Sequence, residues 1–348
     1  MAEKRKYHYD ILRILAAFSV VMLHSAAQCW YDLDIRSTQW VVANSYNAIS
    51  RFGVPIFVMI SGAIFLDKSY ELNIKRLYKH NILRLVILYI VWSVIYGLYD
   101  CRTWDIEVAG IKAVLKEMLL GRYHLWFIPM IVGFYILLPV LKSFVEHTNK
   151  KTIEYFLWVF FALQICSETV RALTINDELH YILDLLKVEM ACGYIGYFIL
   201  GYYLAHIGIG DKLKKILYGM FVPASVANIV LGCLLSFRAN ERLALIYDSF
   251  GLFTFIMTVV LFTFICDKEK KRSVGTKTGK LLKELSANTM GVYVMHIGVM
   301  EITKGYEFQS VVGSNIIGIP LYAVMCFALC ALAAAILRRI PFIGRFIC

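Results

Sequence analysis

Apolar stretches of about twenty residues follow one another along the whole chain, separated by short segments that hold most of the charge. A helix of about twenty apolar residues is long enough to cross the hydrocarbon core of a bilayer. The pattern predicts ten such helices, at about 9–29, 46–66, 81–99, 124–144, 153–172, 189–207, 215–236, 246–266, 287–304 and 315–337. The first lacks a small-residue cleavage site and is followed by further spans, so it reads as a span and not a removed signal. No intervening stretch is long or polar enough for a soluble domain, so residues 1–348 read as a single all-α transmembrane domain.

Charge gives the helices a direction. Under this span assignment, 23 of the Lys and Arg residues fall on one side of the membrane and ten on the other, with Arg13, Arg51 and Arg84 inside spans. The positive-inside bias therefore predicts both termini in the cytoplasm, as an even number of spans requires. Composition agrees: 59% of residues are hydrophobic and the mean hydropathy is +0.65, too apolar for a soluble protein of this length. The net charge of +11 then reads as membrane topology plus an anionic ligand, not as a nucleic-acid surface. Nine cysteines show no C-x-x-C and no metal spacing, and most sit in apolar spans as small buried hydrophobes. Cys29 and Cys101 fall near one face, which leaves a disulfide between them open. Cys348 ends the chain without a prenylation context.

Polar residues inside spans are costly, and they point to function. Arg13 and His24 lie eleven residues apart in the first span. At 1.5 Å and roughly 100° per residue, they stand about 16 Å apart and within about 20° of one face. Two readings stay open for Arg13. It pairs with Asp10 at i−3 or snorkels, or it holds an anion at the mouth of a path leading to His24. The second span runs the other way, bringing Arg51 near the level of His24 and Ser61–Gly62 near the cytoplasm. His124 and Trp126 fall in the outer half of the fourth span, where Trp126 also suits an interfacial belt. Glu168 lies in the outer part of the fifth span, within i+3 of Arg171. His296 falls near mid-depth of the ninth span, with Glu301 further out on a different face. Lys75, Arg76, Lys79 and Arg84 follow helical spacing into the third span, as topogenic charge or as an anion site.

Five segments in order carry a resemblance: DILRILAAFSVVMLH, with its R-x10-H; VPIFVMISG; KRLYKHNILR; HLWFIPMIVGFYILLP; and GVYVMH. Together they resemble the membrane acyltransferase-3 family over nearly the whole chain, and ten spans is that family's usual number. The transmembrane part of membrane-bound serine racemases is also similar, but those proteins add a soluble racemase domain. The resemblance implies an O-acyltransferase that takes an acyl group, by default acetyl, from cytoplasmic acyl-CoA. The acceptor would be a hydroxyl of an extracytoplasmic or lipid-linked carbohydrate. The family's Arg and His correspond to Arg13 and His24, its basic loop to Lys75, Arg76 and Arg84, and its Ser-Gly pair to Ser61–Gly62. Where that pair is usually followed by an aromatic residue, this chain has Ala63.

The residues suit that chemistry. Arg13, Lys75, Arg76 and Arg84 can hold the phosphates of acyl-CoA by charge-assisted bonds, with Ser61 completing the donor set. His24 then serves as general base, since an imidazole has an ordinary pKa of about 6.5, or as a transient acyl carrier. Arg51, His124, Trp126, Glu168, His296 and Glu301 are the acceptor-side candidates. No metal and no tightly bound cofactor are expected. The expected partners are the bilayer, acyl-CoA and the carbohydrate acceptor, at the plasma membrane. A transporter of an anionic or amino-acid solute would also use a polar lining of this kind, although the internal repeats common in transporters are absent from the sequence. A lipid-sensing scaffold would need no buried ionisable pair.

Overall fold

A computed structural model describes residues 5–100, 112, 115–116, 119–174, 177–185, 192–270, 275–305, 312–341 and 344. Among the described residues every regular element is helical. In chain order they are α1 (Tyr7–Trp30), α2 (Thr38–Ile49), α3 (Gly53–Phe65), α4 (Ile74–Tyr99), α5 (Tyr123–His147) and α6 (Lys150–Leu173). There follow α7 (Asp177–Leu185), α8 (Gly193–Tyr202), α9 (Asp211–Ala239), α10 (Leu252–Lys270), α11 (Thr276–Ile302) and α12 (Asn315–Leu337).

Eight of the ten expected spans are helices long and apolar enough to cross a membrane, which makes this an all-α polytopic membrane protein. The other two are present as helices with different dimensions. The sixth is α8 and the π-helical turn Tyr203–Ile207 after it, a described length short of a full crossing. The ninth is α11, which begins at Thr276, inside the segment read from sequence as a connecting loop. Its length suffices, but Ser286, Asn288, Thr289, His296 and Glu301 make it more polar than the eight. A bilayer-facing helix could not carry so many. This one packs on α1 and α12, which bury Val292, Val294 and His296 completely.

The second span also differs from its expected bounds of 46–66. It starts at Thr38, where the Ser37 hydroxyl accepts the Trp40 amide at 3.1 Å, and it breaks between Ser50 and Phe52. Pro55 explains the break. It has no N–H and its ring collides with the carbonyl four residues back, so it is tolerated only in the first turn of a new helix. Arg51 therefore sits at a joint, not inside a continuous span.

Helix α1 is central and packs against α2, α3, α10, α11 and α12. It runs beside α11 in the same direction and in register. Tyr7 lies against Gly279 near one end, and His24 lies against His296 seventeen residues further along each helix. Helix α3 runs antiparallel to α1, from Gly53 against Ser19 to Asp67 against Lys6. The tightest approach is between α3 and α8. A Cβ on Gly62 would lie 1.7 Å from the Phe198 carbonyl oxygen, and one on Gly201 would lie 2.0 Å from that of Met59. Only glycine permits such backbone contact, the device by which membrane helices associate without a hydrophobic driving force. Interior polar groups are paired for the same reason. Asn44 accepts from Trp30 Nε1 at 2.9 Å and from the Tyr247 hydroxyl at 2.8 Å, and it donates to Cys233 Sγ at 3.3 Å. Cys29 is a free buried thiol, and Cys101 lies outside the described residues, as does Cys348.

Candidate active site

Five helices and Arg5, just ahead of α1, line a cavity of about 380 Å³. Four of the helices each offer one stripe of helical spacing: Phe57, Ile60, Ser61 and Ile64 on α3; Asn81, Arg84, Leu85 and Leu88 on α4; Phe127, Ile131 and Tyr135 on α5; Ser286, Thr289, Met290 and Tyr293 on α11. Arg5 and Arg13 complete it. The helix directions sort the lining by depth. Arg5, Arg13, Arg84, His80, Asn81 and Ser286 gather at the end where the described chain begins, and Phe57, Leu88, Phe127 and Tyr293 at the other. Three arginines and no carboxylate line it, so positive charge outnumbers negative at the mouth.

Asp10 is the nearest anion, and its chief partner is Arg5. The guanidinium donates to both carboxylate oxygens, at 2.7 and 2.8 Å. Arg13 stands 3.7 Å from the same carboxylate, which is 2% exposed. The i−3 pair expected from sequence thus exists, but as the looser of two contacts. A second cavity of about 520 Å³ shares Arg5 and Arg13 and adds Lys6 and Arg76. There Asp10, Asp67 and Glu71 offset the positive charge. Burial pushes the Asp67 carboxyl up, but hydrogen bonds from the Ser69 amide and hydroxyl and the charges of His206 and Lys6 outweigh it. Together they hold it below the usual carboxylate range. Its backbone carbonyl accepts from Lys142 Nζ at 2.9 Å.

Just beyond the aromatic end of the first cavity, three histidines converge. The ring of His296 lies 5.1 Å from that of His24 and 5.2 Å from that of His124. His124 is 2% exposed and His296 is fully buried, whereas His24 is only partly buried. His296 Nδ1 meets the Tyr293 carbonyl at 2.6 Å, and His124 Nε2 lies 3.4 Å from that of Val294. The remaining nitrogens, His124 Nδ1 and His296 Nε2, are buried without a hydrogen-bond partner among the described residues. Tyr123 borders His24 at 5.8 Å, and Tyr96 borders His124 at 5.1 Å. Tyr96 also fixes α4 to α11, donating to the Val294 carbonyl at 2.8 Å and accepting the Gly298 amide at 3.0 Å. No group of His, Cys, Asp and Glu suited to a metal ion occurs among the described residues.

The sequence-derived set divides accordingly. Arg13, Arg84 and Ser61 line the first cavity, Arg76 the second, and Lys75 neither. His24, His124 and His296 meet in one cluster. Arg51 lines neither cavity: its guanidinium donates to Asn47 Oδ1 at 2.9 Å and covers the Tyr247 ring at 5.2 Å. Glu301 forms an ion pair with Arg122, whose guanidinium lies 5.0 Å over the Tyr96 ring. Trp126 is 47% exposed, as a belt aromatic would be, with its ring tilted against Tyr194 at 5.7 Å. Glu168 is drawn to Arg171 at 3.6 Å on its own helix. Sequence reading missed Arg5, counted there as a topogenic charge, and the aromatic end formed by Phe57, Phe127 and Tyr293. The α11 stripe from Ser286 through Thr289 and Tyr293 to His296 was a usable signal, since polar and aromatic residues recur on one face.

Comparison with curated proteins and with solved structures gives no match. A family model does match, the one described as an acyltransferase domain, over residues 6–337. The match takes in all three histidines and the lining of both cavities except Arg5, and the chain belongs to the membrane acyltransferase-3 family.

Proposed function

We propose that this membrane acyltransferase moves a short acyl group, by default acetyl, from cytoplasmic acyl-CoA to a hydroxyl of a carbohydrate acceptor, extracytoplasmic or lipid-linked, at the plasma membrane. One observation carries the reading: a cavity with three arginines at its mouth and no carboxylate in its lining points toward a cluster of three histidines, two of them buried. The nucleotide end of acyl-CoA is polyanionic and its arm is long and thin, so the two ends of the cavity suit the two ends of the donor. Arg5, Arg13 and Arg84 hold phosphate oxygens through charge-assisted bonds. Arg76 adds to this field from the adjoining cavity. The mouth lies at the basic side of the charge distribution, which supports cytoplasmic entry.

Transfer then needs a base near the thioester. His24 takes the proton of the acceptor hydroxyl as its oxygen attacks the thioester carbonyl. The C–S bond breaks, the proton passes from the imidazolium to the departing sulfur, and an ester and free CoA result. The unpartnered nitrogens of His124 and His296 are suited to hold the acceptor hydroxyls. Family membership sets aside the transporter.

The test is comparative mass spectrometry of glycans and lipids from cells with and without this chain. The expected result is a mass gain of one acyl group on a carbohydrate, lost when His24→Ala replaces the wild type at equal membrane abundance. An unchanged glycan and lipid profile overturns the reading.

A further inference from the structure

The inner end of the basic cavity is closed by aromatic rings. Phe57 and Phe127 have ring centres 5.8 Å apart, and Phe127 and Tyr293 have theirs 5.6 Å apart. These are ordinary tilted and edge contacts of packed rings. All three rings stand on helices, not loops, and Phe127 and Tyr293 are 7% and 6% exposed. The Tyr293 hydroxyl donates to the His124 carbonyl, which fixes its ring in place.

The rings stand between the two halves of the site. Along α11, seven residues separate Ser286 at the mouth from Tyr293, a rise of about 10 Å. His296 is one turn further, with its ring 6.1 Å from that of Tyr293. His24 lies beside His296 and is not part of the cavity lining. A group travelling from the arginines to His24 therefore passes these three rings.

We infer that Phe57, Phe127 and Tyr293 are the specificity-determining residues for the acyl group, admitting short chains and refusing long ones. The inference rests on the acyl-CoA reading above. A partition built from buried rings on packed helices yields little, because added methylenes in a close-packed space force side chains off their rotamers. The two-carbon acetyl group needs the least displacement. In the bound donor, before the thioester advances to His24, the acyl end meets the rings first, so each added methylene must be accommodated against them.

The test uses the full-length chain in lipid nanodiscs and calorimetric affinities for CoA, acetyl-CoA, butyryl-CoA and hexanoyl-CoA. Wild type is expected to bind hexanoyl-CoA at least tenfold more weakly than acetyl-CoA. Phe127→Leu and Phe57→Leu, made separately, are expected to raise the hexanoyl-to-acetyl affinity ratio at least tenfold in one or both, with CoA binding recorded alongside as the check on folding. The inference is overturned if wild type binds hexanoyl-CoA as tightly as acetyl-CoA. It is also overturned if the ratio stays at its wild-type value in both variants. Wild-type protein that binds neither CoA nor any acyl-CoA overturns the donor reading itself, and this inference with it.

Discussion

His24 and Arg13 share a helix, but they answer to different neighbours. His24 meets the imidazole of His296, and its replacement by Ala is expected to lower acyl transfer by about 10²–10⁴-fold, the usual contribution of a general base. Labelled acyl incorporation into membranes, at matched protein abundance, checks this. Activity within a few-fold of wild type would remove His24 from the chemistry. For Arg13, Gln is expected to weaken CoA binding at least tenfold and Lys less, because Lys keeps the charge but loses the planar fork. Adding Asp10→Asn to Arg13→Gln is expected to restore nothing, since Asp10 is held chiefly by Arg5. Recovery of CoA binding in the double variant would show that Arg13 serves its helix instead. The pairing of Arg13 with His24 was legible because the spacing of eleven residues fixes a face from sequence alone. The role of Arg5 was not, because a charge ahead of a span looks the same whether it marks topology or clasps a buried carboxylate.

At the scale of elements, what the sequence shows best is what lipid enforces. The bounds of α12 follow directly from its run of apolar residues, and α1, α5 and α6 differ from expectation by a few residues at each end. Helix α11 and the joint at Arg51 were harder, since protein neighbours rather than lipid decide them. A helix shielded by α1 and α12 escapes the apolar requirement, and a proline breaks a span only if the rest of the fold uses the break. The contact of α3 with α8 gives a sharp expectation. Gly62→Val places a side chain where the Phe198 carbonyl now sits, so the helices must part, at about 1–3 kcal/mol or more for overpacking of this kind. A thermal melt in detergent unchanged from wild type would contradict it. The end of α3 is fastened by Asp67, whose carboxyl is held below its usual range. Its contribution to stability is therefore complete above the unfolded carboxylate pKa of about 3.9 and fades as pH falls through the lower folded value. The Asp67→Asn variant is expected to lack that acid-dependent part of the loss; identical acid titrations of stability in the two proteins would refute it.

The whole molecule is polarised from end to end, with arginines around an open cavity at one end and imidazoles toward the other. Its charge asymmetry predicts that both termini share the side from which the donor enters. Tags at either terminus are expected to be shielded from an impermeant label in intact cells, and labelling of one terminus alone would break the predicted topology. The two nitrogens of His124 and His296 that meet no partner among the described residues bear on what the proposed acceptor must offer. A buried polar atom without a partner raises the free energy of whatever state contains it. On the proposed reading, an acceptor that places hydroxyls there gains hydrogen bonds that an apolar guest of the same shape cannot offer. A deoxygenated analogue of the acceptor, equal in shape, is expected to bind more weakly. Sites that leave polar groups unmet in this way discriminate far more steeply than apolar pockets of the same size. On that reading, the preference for a hydroxylated acceptor is set by two side chains on separate helices, α5 and α11.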